Sequence, residues 1–429
     1  MSKTKLFVVV AACFGIAVLF SNCPFYDDEE FRPPVITGIT VTSPPVKTTY
    51  AIGDESLDLA GLVVSTVYSN GSNKTVENYS IDNNFESETP GSKKITVSYE
   101  EFTTFFMVMV EYPLPLTDID YVLPYLLSLN DVGGSVDNPA SLPLQFDLGL
   151  MTAIDSNWRK VLTAIAEADK FVNLDLETCT MRGLTENDFL EVIESDIAFY
   201  PDYSFATGKN KIVSLILPLS TRIVSAMYHW EAFPPPYPSF HYFDALEFIS
   251  GEKVDRIDNY AFTDRTNLKN IDFPAARWIY RGAFWGCTSL VSADFPNSTM
   301  INFSLFEGCV NLVSVNFPRV TGASIYSDAF KGCTSLALVK IPNATGYYGI
   351  RFFSSTGDTG LTIIMGQTAP LPITSLPSYP AEKNIFLGVN SPKTVTVKVP
   401  VGATGYDEEW QSNFKYGNTN ITVIIEYAE

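Results

Sequence analysis

NYAFTDRTNLKNIDFP (residues 259–274), RGAFWGCTSLVSADFP (281–296), FSLFEGCVNLVSVNFP (303–318) and SDAFKGCTSLALVKIP (327–342) are versions of one sentence. Phe262, Phe284, Phe306 and Phe330 recur in step, as do Leu268, Leu290, Leu312 and Leu336. Pro274, Pro296, Pro318 and Pro342 do the same, and each series advances by 22, 22 and 24 residues. Self-similarity at such a period marks a solenoid, in which each unit buries its apolar side only against the next. Within a unit, Leu268-Lys269-Asn270-Ile271-Asp272-Phe273-Pro274 reads as a short strand. Alternation about Ile271 turns Leu268, Ile271 and Phe273 inward, and Asn270 and Asp272 outward. Pro274 offers no N–H to a parallel ladder and ends the strand. A second apolar set, Trp278, Ile279, Ala283 and Phe284, turns the chain back.

In phase, the outward residues form two files across the repeats. One is Asn270, Ser292, Ser314 and Leu338; the other is Asp272, Asp294, Asn316 and Lys340. Counting back adds Ser214 to the first and Ser250 to the second. Repeat proteins bind partners through extended faces of this kind. Asn270, Asp272, Ser292, Asp294, Ser314, Asn316 and Lys340 are therefore the candidate ligand-binding residues. Cys287, Cys309 and Cys333 share one position, which Arg265 takes in the first copy. Their spacing is no CxxC zinc pattern. They are expected to pack as small buried thiols, with disulfides between neighbouring rungs as the alternative.

The unit resembles the treponemal-type, or BspA-like, leucine-rich repeat, which carries an Ala-Phe-x-x-Cys-x-x-Leu-x-x-Ile run. The residues that match are Ala283-Phe284-Trp285-Gly286-Cys287-Thr288-Ser289-Leu290 and Ala329-Phe330-Lys331-Gly332-Cys333-Thr334-Ser335-Leu336. Leu305 replaces the alanine in the third copy, Arg265 the cysteine in the first and Ala293 the isoleucine in the second. The clear copies span 259–342, and a looser likeness spans about 160–429. The resemblance implies a cell-surface binding protein, an adhesin that attaches to host matrix or to other cells. A structural or nutrient-capture component of an outer-envelope complex is the alternative.

Working outward, KIVSLILP (211–218) and ALEFISG (245–251) read as further rungs, so the repeats are assigned to 171–360. Between them Pro234-Pro235-Pro236 stands amid Trp230, Phe233, Tyr237 and Phe240. This insertion, 231–240, reads either as an aromatic loop touching a ligand or as a segment folded onto the flank. Beyond Pro342 the period breaks. LTIIMG, KTVTVKVP and NITVIIEY are three more strands, and 361–429 is read as a C-terminal β cap. VKVPVGATGYDEEWQSNF (397–414) resembles the closing segment of the same surface-protein family. Residues 113–170 read as the N-terminal cap. They hold a Pro-containing joint at Leu114–Asp120, a strand in QFDLGL and a helix from Asn157 to Ala168 capped by Asp155 or Ser156. FVNLDLETC follows as a strand.

Residues 36–112 alternate at the strand period. Asn70-Gly71 predicts a hairpin, and Pro90-Gly91 marks the next turn. The segment predicts a small β-sandwich. ITVT, the Tyr50-Ala51-Ile52-Gly53-Asp54 turn, the strand ending Leu62-Val63-Val64 and GSKKITVSYEEFTTFFMVMV resemble the bacterial Ig-like domains of surface proteins. That resemblance implies a spacer. The fold class is thus mainly β: an N-terminal Ig-like sandwich, a leucine-rich-repeat solenoid and a C-terminal β cap.

The first residues, MSKTKLFVVVAACFGIAVLFSNC, place Lys3 and Lys5 before an apolar run from Leu6 to Phe20. The run is shorter than the ~20 residues a spanning helix needs and reads as an export signal, 1–22. Phe20-Ser21-Asn22-Cys23 resembles a bacterial lipobox, which implies lipidation at Cys23 and a membrane contact through that anchor. Plain signal cleavage and an uncleaved anchor are the alternatives. Asp27–Glu30 and Pro33-Pro34 then read as a solvated tether over 23–35. The expected location is the cell surface, lipid-anchored to the bacterial outer membrane and facing outward.

At 46% hydrophobic and 18% charged the chain can bury sizeable cores, and its net charge of −20 disfavours nucleic acid as a partner. The expected partners are host or bacterial surface proteins, with the oligomeric state left open. His229 and His241 are the only histidines and lack HExxH spacing. There is no GxSxG and no phosphate loop. The sequence therefore points to no enzyme, no metal and no cofactor.

Overall fold

The computed structural model describes residues 33–82, 85, 87–186, 192–202, 204–225, 239–321, 325–344, 353, 360–366, 393–414 and 419–428. The leader, Cys23, His229 and residues 231–238 of the insertion lie outside the described residues. The chain divides into two compact units, with the boundary between Glu111 and Tyr112.

The first unit is a two-sheet sandwich. One sheet holds β1 (Ile36–Ser43), β3 (Val63–Tyr68) and β4 (Asn73–Val76); the other holds β2 (Thr49–Ala51), β7 (Phe102–Glu111), β6 (Gly91–Tyr99) and β5 (Ser80–Ile81). Asn70-Gly71 makes the β3–β4 turn, with Gly71 at φ 79° and its N–H on Tyr68 O at 2.8 Å. Leu62-Val63-Val64 opens a strand rather than ending one, because Val64 pairs with both Val41 and Val76. GSKKITVSYEEFTTFFMVMV folds as the β6–β7 hairpin, turning at Glu100 with φ 52°. Tyr50, Val64, Ile95, Val97, Phe106, Val108 and Val110 fill the space between the sheets. On β7 the alternation is plain: Phe106, Val108 and Val110 are buried, while Phe105, Met107 and Met109 are exposed.

The second unit is built on parallel strands. β8 (Ala140–Pro143), β10 (Val172–Asp175), β14 (Ile212–Ile216), β16 (Phe248–Ser250) and β18 (Asn270–Asp272) form a five-stranded parallel sheet. The ladder thus already includes Ala140–Pro143, inside the segment read as a cap. β20 (Ser292–Asp294), β21 (Ser314–Asn316), β22 (Leu338–Lys340), β23 (Leu361–Ile364), β24 (Lys393–Pro400) and β25 (Ile421–Ala428) form a six-stranded parallel sheet. The C-terminal strands therefore extend the ladder of the repeats. The step of the last repeat also persists, since Leu338 pairs with Thr362 and Lys340 with Ile364. Return-leg strands β13 (Ala198–Phe199), β15 (Ile223–Val224), β17 (Arg256–Ile257) and β19 (Trp278–Ile279) pair as another parallel stack. β9 (Asp147–Leu150), β11 (Thr180–Glu186) and β12 (Val192–Ser195) complete the strands. The helices are α1 (Val122–Ser128), which the sequence reading did not foresee, α2 (Asn157–Ala168) and α3 (Glu408–Phe414). Ser156 is the cap of α2, its Oγ accepting from Arg159 N at 3.3 Å.

One apolar core runs from Leu116 to Ile421. Its axis is a column of rings: Phe199, Phe240, Phe262, Phe284, Phe306, Phe330 and Phe353 stack with centroids 6.1, 4.6, 5.3, 5.6, 5.7 and 6.0 Å apart. Phe240, grouped in the sequence reading with the insertion, is buried in this column. It stands one 22-residue period before Phe262. The turn after each phenylalanine needs a left-handed residue. Gly286, Gly308 and Gly332 take φ of 72°, 79° and 75°, and Asp264 takes 57° in the first copy. The turn aims alternate N–H groups at the next rung: Phe284 N donates to Leu305 O at 3.0 Å and Gly286 N to Glu307 O at 2.8 Å. Cys287, Cys309 and Cys333 are buried free thiols. Their Sγ atoms donate one rung back, to Phe262 O, Phe284 O and Phe306 O at 3.1, 3.1 and 3.0 Å. Arg265, in the same position, is also buried and reaches Asp244 at 3.2 Å. Trp278 departs from the reading: β19 buries Ile279 and leaves the indole outside.

Candidate functional site

The outward files follow from pairing in register. Ser141, Asn173, Ser214, Phe248 and Asn270 line up across the first long sheet; Ser292, Ser314, Leu338, Thr362 and Thr396 line up across the second. The neighbouring file is Asp175, Ile216, Ser250 and Asp272, then Asp294, Asn316, Lys340, Ile364, Lys398 and Glu426. Asn270, Asp272, Ser292, Asp294 and Lys340 are exposed; Ser314 and Asn316 are half-buried. Parallel strands lie about 4.8 Å apart, so each file presents side chains at that interval.

The files are not continuous from end to end. The ladder is interrupted between β18 and β20, which belong to separate sheets. A 3.3 Å bond from Val291 N to Lys269 O spans the interval. Ala293 supplies little apolar cover at this step, and Ile271 stays partly exposed where Val315 and Val339 are buried. Asn270 and Asp272 therefore sit on the rim of one sheet, and Ser292 and Asp294 on the rim of the next.

Neighbours along the files are tied together. Ser214 Oγ and Asn173 Oδ1 are 2.8 Å apart, Asn316 Nδ2 donates to Asp294 Oδ1 at 2.9 Å, and Lys398 pairs with Glu426 at 3.3 Å. Beside the first file, Lys269 pairs with Glu247 at 2.7 Å. Next to Ser292 and Ser314 stand the exposed Val291 and Val313. The second file is acidic at Asp175, Asp272, Asp294 and Glu426 and basic at Lys340 and Lys398. The arrangement is a largely polar shelf of mixed charge, interrupted by Ile216, Phe248, Leu338 and Ile364, with an apolar border. It can complement a protein surface; it assembles no nucleophile with a base. Sequence reasoning passed over Phe248 and Thr362, although both lie in phase with Asn270 and Leu338.

The remaining titratable groups lie elsewhere. Burial pushes the Cys287 thiol up to about 12 and raises Cys309 and Cys333 as well. Such thiols are not thiolates at neutral pH. Lys209 was not singled out in the sequence, yet it is wholly buried, its Nζ donating to Asp202 O and lying 5.5 Å from the Phe243 ring centre. Burial brings its ammonium down to about 7; the Asp202 carboxylate opposes the shift and Arg159 adds to it. His241 is lowered too, by burial and then by Arg265. Among the described residues no cluster of three or more His, Cys, Asp or Glu side chains is placed to hold a metal ion. Among the same residues no helix is long and apolar enough to cross a membrane.

Comparison with known proteins gives the following. Residues 238–367 match the BspA type leucine rich repeat region in six copies, and residues 43–110 match the bacterial Ig-like domain of group 3. A pectate lyase L of Thermoclostridium stercorarium is 40% identical over 77 residues, which is 18% of this chain and 6% of that one. An exo-beta-1,6-galactobiohydrolase of Bifidobacterium longum subsp. longum is 44% identical over 73 residues, 16% of this chain and 5% of that one. The chain thus spans a small fraction of the length of these curated relatives. Among solved structures, a leucine rich cell surface protein of Faecalibacterium prausnitzii A2-165 shares 15% identity, with a TM-score of 0.28 over 57% of this chain and 86% of that one. The pneumococcal vaccine antigen PcpA also shares 15% identity, with a TM-score of 0.32 over 67% of this chain and 57% of that one. The two matches show that the chain carries a BspA-type leucine-rich-repeat region over residues 238–367 and a group 3 bacterial Ig-like domain over residues 43–110.

Proposed function

We propose that this is a cell-surface binding protein, an adhesin that holds host matrix or other cells through the outward files of its repeat strands. The observation that carries the reading is the register: exposed Asn270 and Asp272 lie on the last rung of one parallel sheet, and exposed Ser292, Asp294 and Lys340 lie in the same two files of the next, with the exposed Val291 and Val313 at their side. Exposed polar rows with an apolar border offer contact area and hydrogen-bonding groups together, as protein interfaces require. The Ig-like unit serves as the spacer. Cys23 carries the lipid anchor that keeps the protein on the outer membrane, facing outward; several acyl chains are needed for stable attachment.

The test uses the full secreted chain against immobilised matrix proteins and whole cells. Saturable binding that is lost when Asn270, Asp272, Ser292 and Asp294 are changed to alanine supports the reading. Saturable binding that survives those changes removes the face from it. A pull-down that recovers envelope proteins alone would assign the chain to an envelope complex instead. Mass spectrometry of the mature N-terminus checks the anchor, which requires a modified Cys23.

A further inference from the structure

The return-leg strands carry a second surface, made by residues distinct from the outward files. β17 and β19 place Arg256 opposite Trp278 and Ile257 opposite Ile279. Ile257 and Ile279 are buried, so alternation turns Arg256 and Trp278 outward. Trp278 is 38% exposed, and the Arg277 guanidinium lies over its ring, 4.8 Å from the centroid. The Arg256 guanidinium lies 5.6 Å from the Tyr280 centroid and also pairs with Asp258. One rung on, Phe303 is 40% exposed and packs on Tyr326, with ring centroids 4.7 Å apart. The rungs bearing these groups are joined by Tyr280 N to Ile257 O, Gly282 N to Phe303 O and Tyr326 N to Ile301 O. Backbone bonds from Asp255 N to Arg222 O and from Arg277 N to Asp255 O put Arg222, Asp255 and Arg277 on successive rungs, and with Arg256 and Arg281 the arginines there outnumber Asp255 and Asp258.

We propose that this strip binds an acidic polysaccharide, a glycan whose sugar rings carry carboxylates. The part of the Trp278 ring left open beside Arg277 and the exposed part of Phe303 can meet the apolar C–H face of a pyranose ring. A guanidinium offers a planar fork to a carboxylate, and over Trp278 it stands where a ring-borne carboxylate would reach it. Arg256 and Trp278 stand on paired rungs about 4.8 Å apart, which sets a charge beside a ring along the stack, as a polymer of charged sugar rings would need. An acidic peptide would meet the arginines with carboxylates on flexible stems and leave Trp278 and Phe303 without a flat partner. The strip and the outward files share no residue, so either can fail without the other.

The experiment titrates the full-length protein with hyaluronate and polygalacturonate fragments, with the same chains after carboxyl reduction, and with polyglutamate. The expected result is binding of at least one uronate that weakens with added salt and is lost on carboxyl reduction. Trp278→Ala and Arg277→Ala should each weaken it by about tenfold or more, as truncating an interface anchor does. Circular dichroism monitors folding of the variants. Asp272→Ala with Asp294→Ala should leave uronate binding unchanged. The proposal is overturned if neither uronate binds or if the carboxyl-reduced chains bind as tightly. It is also overturned if polyglutamate binds equally well with no loss in Trp278→Ala, which would assign the strip to acidic peptides.

Discussion

Changing Phe306 to alanine strikes the centre of the ring column. Phe306 is fully buried, stacked on Phe284 at 5.6 Å and 10° and on Phe330 at 5.7 Å and 2°, with Phe295 and Phe317 at its edges at 6.5 and 6.3 Å. A buried Phe→Ala change costs about 3–5 kcal/mol, the larger values where the site cannot collapse. Collapse is resisted here. The backbone on both sides is pinned by Phe284 N to Leu305 O at 3.0 Å and Phe306 N to Ala329 O at 2.8 Å. The expected cost therefore lies near the upper end, about 4–5 kcal/mol. Two compact units need not unfold together, so a single melting midpoint is a poor readout. Hydrogen exchange on the full chain is the better assay. Protection should fall in peptides covering 282–312 and 327–340, and peptides from β6 and β7 should serve as the unchanged reference. The exposed Phe303, changed to alanine, should cost under about 1 kcal/mol. A Phe306→Ala protein whose repeat amides lose less than about 1 kcal/mol of protection would refute the column as the stabilising axis.

Further outcomes follow from the same geometry. Lys209 has its ammonium lowered from 10.5 to about 7, so between these values the unfolded chain binds more protons and stability rises with pH. From pH 7 to 8.5 wild type should gain on the order of 1–2 kcal/mol relative to Lys209→Met, measured as the difference in denaturant midpoints; equal slopes would refute the burial. The buried thiols act with the opposite sign: Cys287, with its folded value raised to about 12, contributes stability below the unfolded thiol value that is lost as pH climbs towards the folded one. Peptide mapping after iodoacetamide treatment at neutral pH should show Cys287, Cys309 and Cys333 protected in the native protein and labelled once it is unfolded. Gly308→Ala has room, its nearest neighbour being 3.7 Å away, so the expected loss of about 1–2 kcal/mol is the left-handed backbone alone; Gly286→Ala also runs into Asp264 Oδ1 and should lose more unless that carboxylate swings aside.

Parallel stacking, the in-step phenylalanines and the buried thiols were legible in the four copies because a repeated local pattern forces the same contacts at every rung. Inward and outward positions along β20, β21 and β22 followed from alternation alone, and the Asn70-Gly71 turn from the conformations those residues favour. What the chain alone determined was therefore local and periodic: strand, turn, and the side each residue faces within its own rung. The tertiary structure decided what depends on neighbours. It left Trp278 outside, since only the adjacent rungs determine which side of a two-residue strand meets water. It placed Phe240 in the column, although the surrounding aromatic and proline residues obscured its phase. It carried the ladder beyond Pro342 through Thr362 and Ile364, because backbone pairing persists where the consensus side chains are gone. It broke the outward face between Asp272 and Ser292, where the run of paired rungs stops. Periodicity sets what each rung offers; packing between rungs sets what remains exposed for a partner to meet.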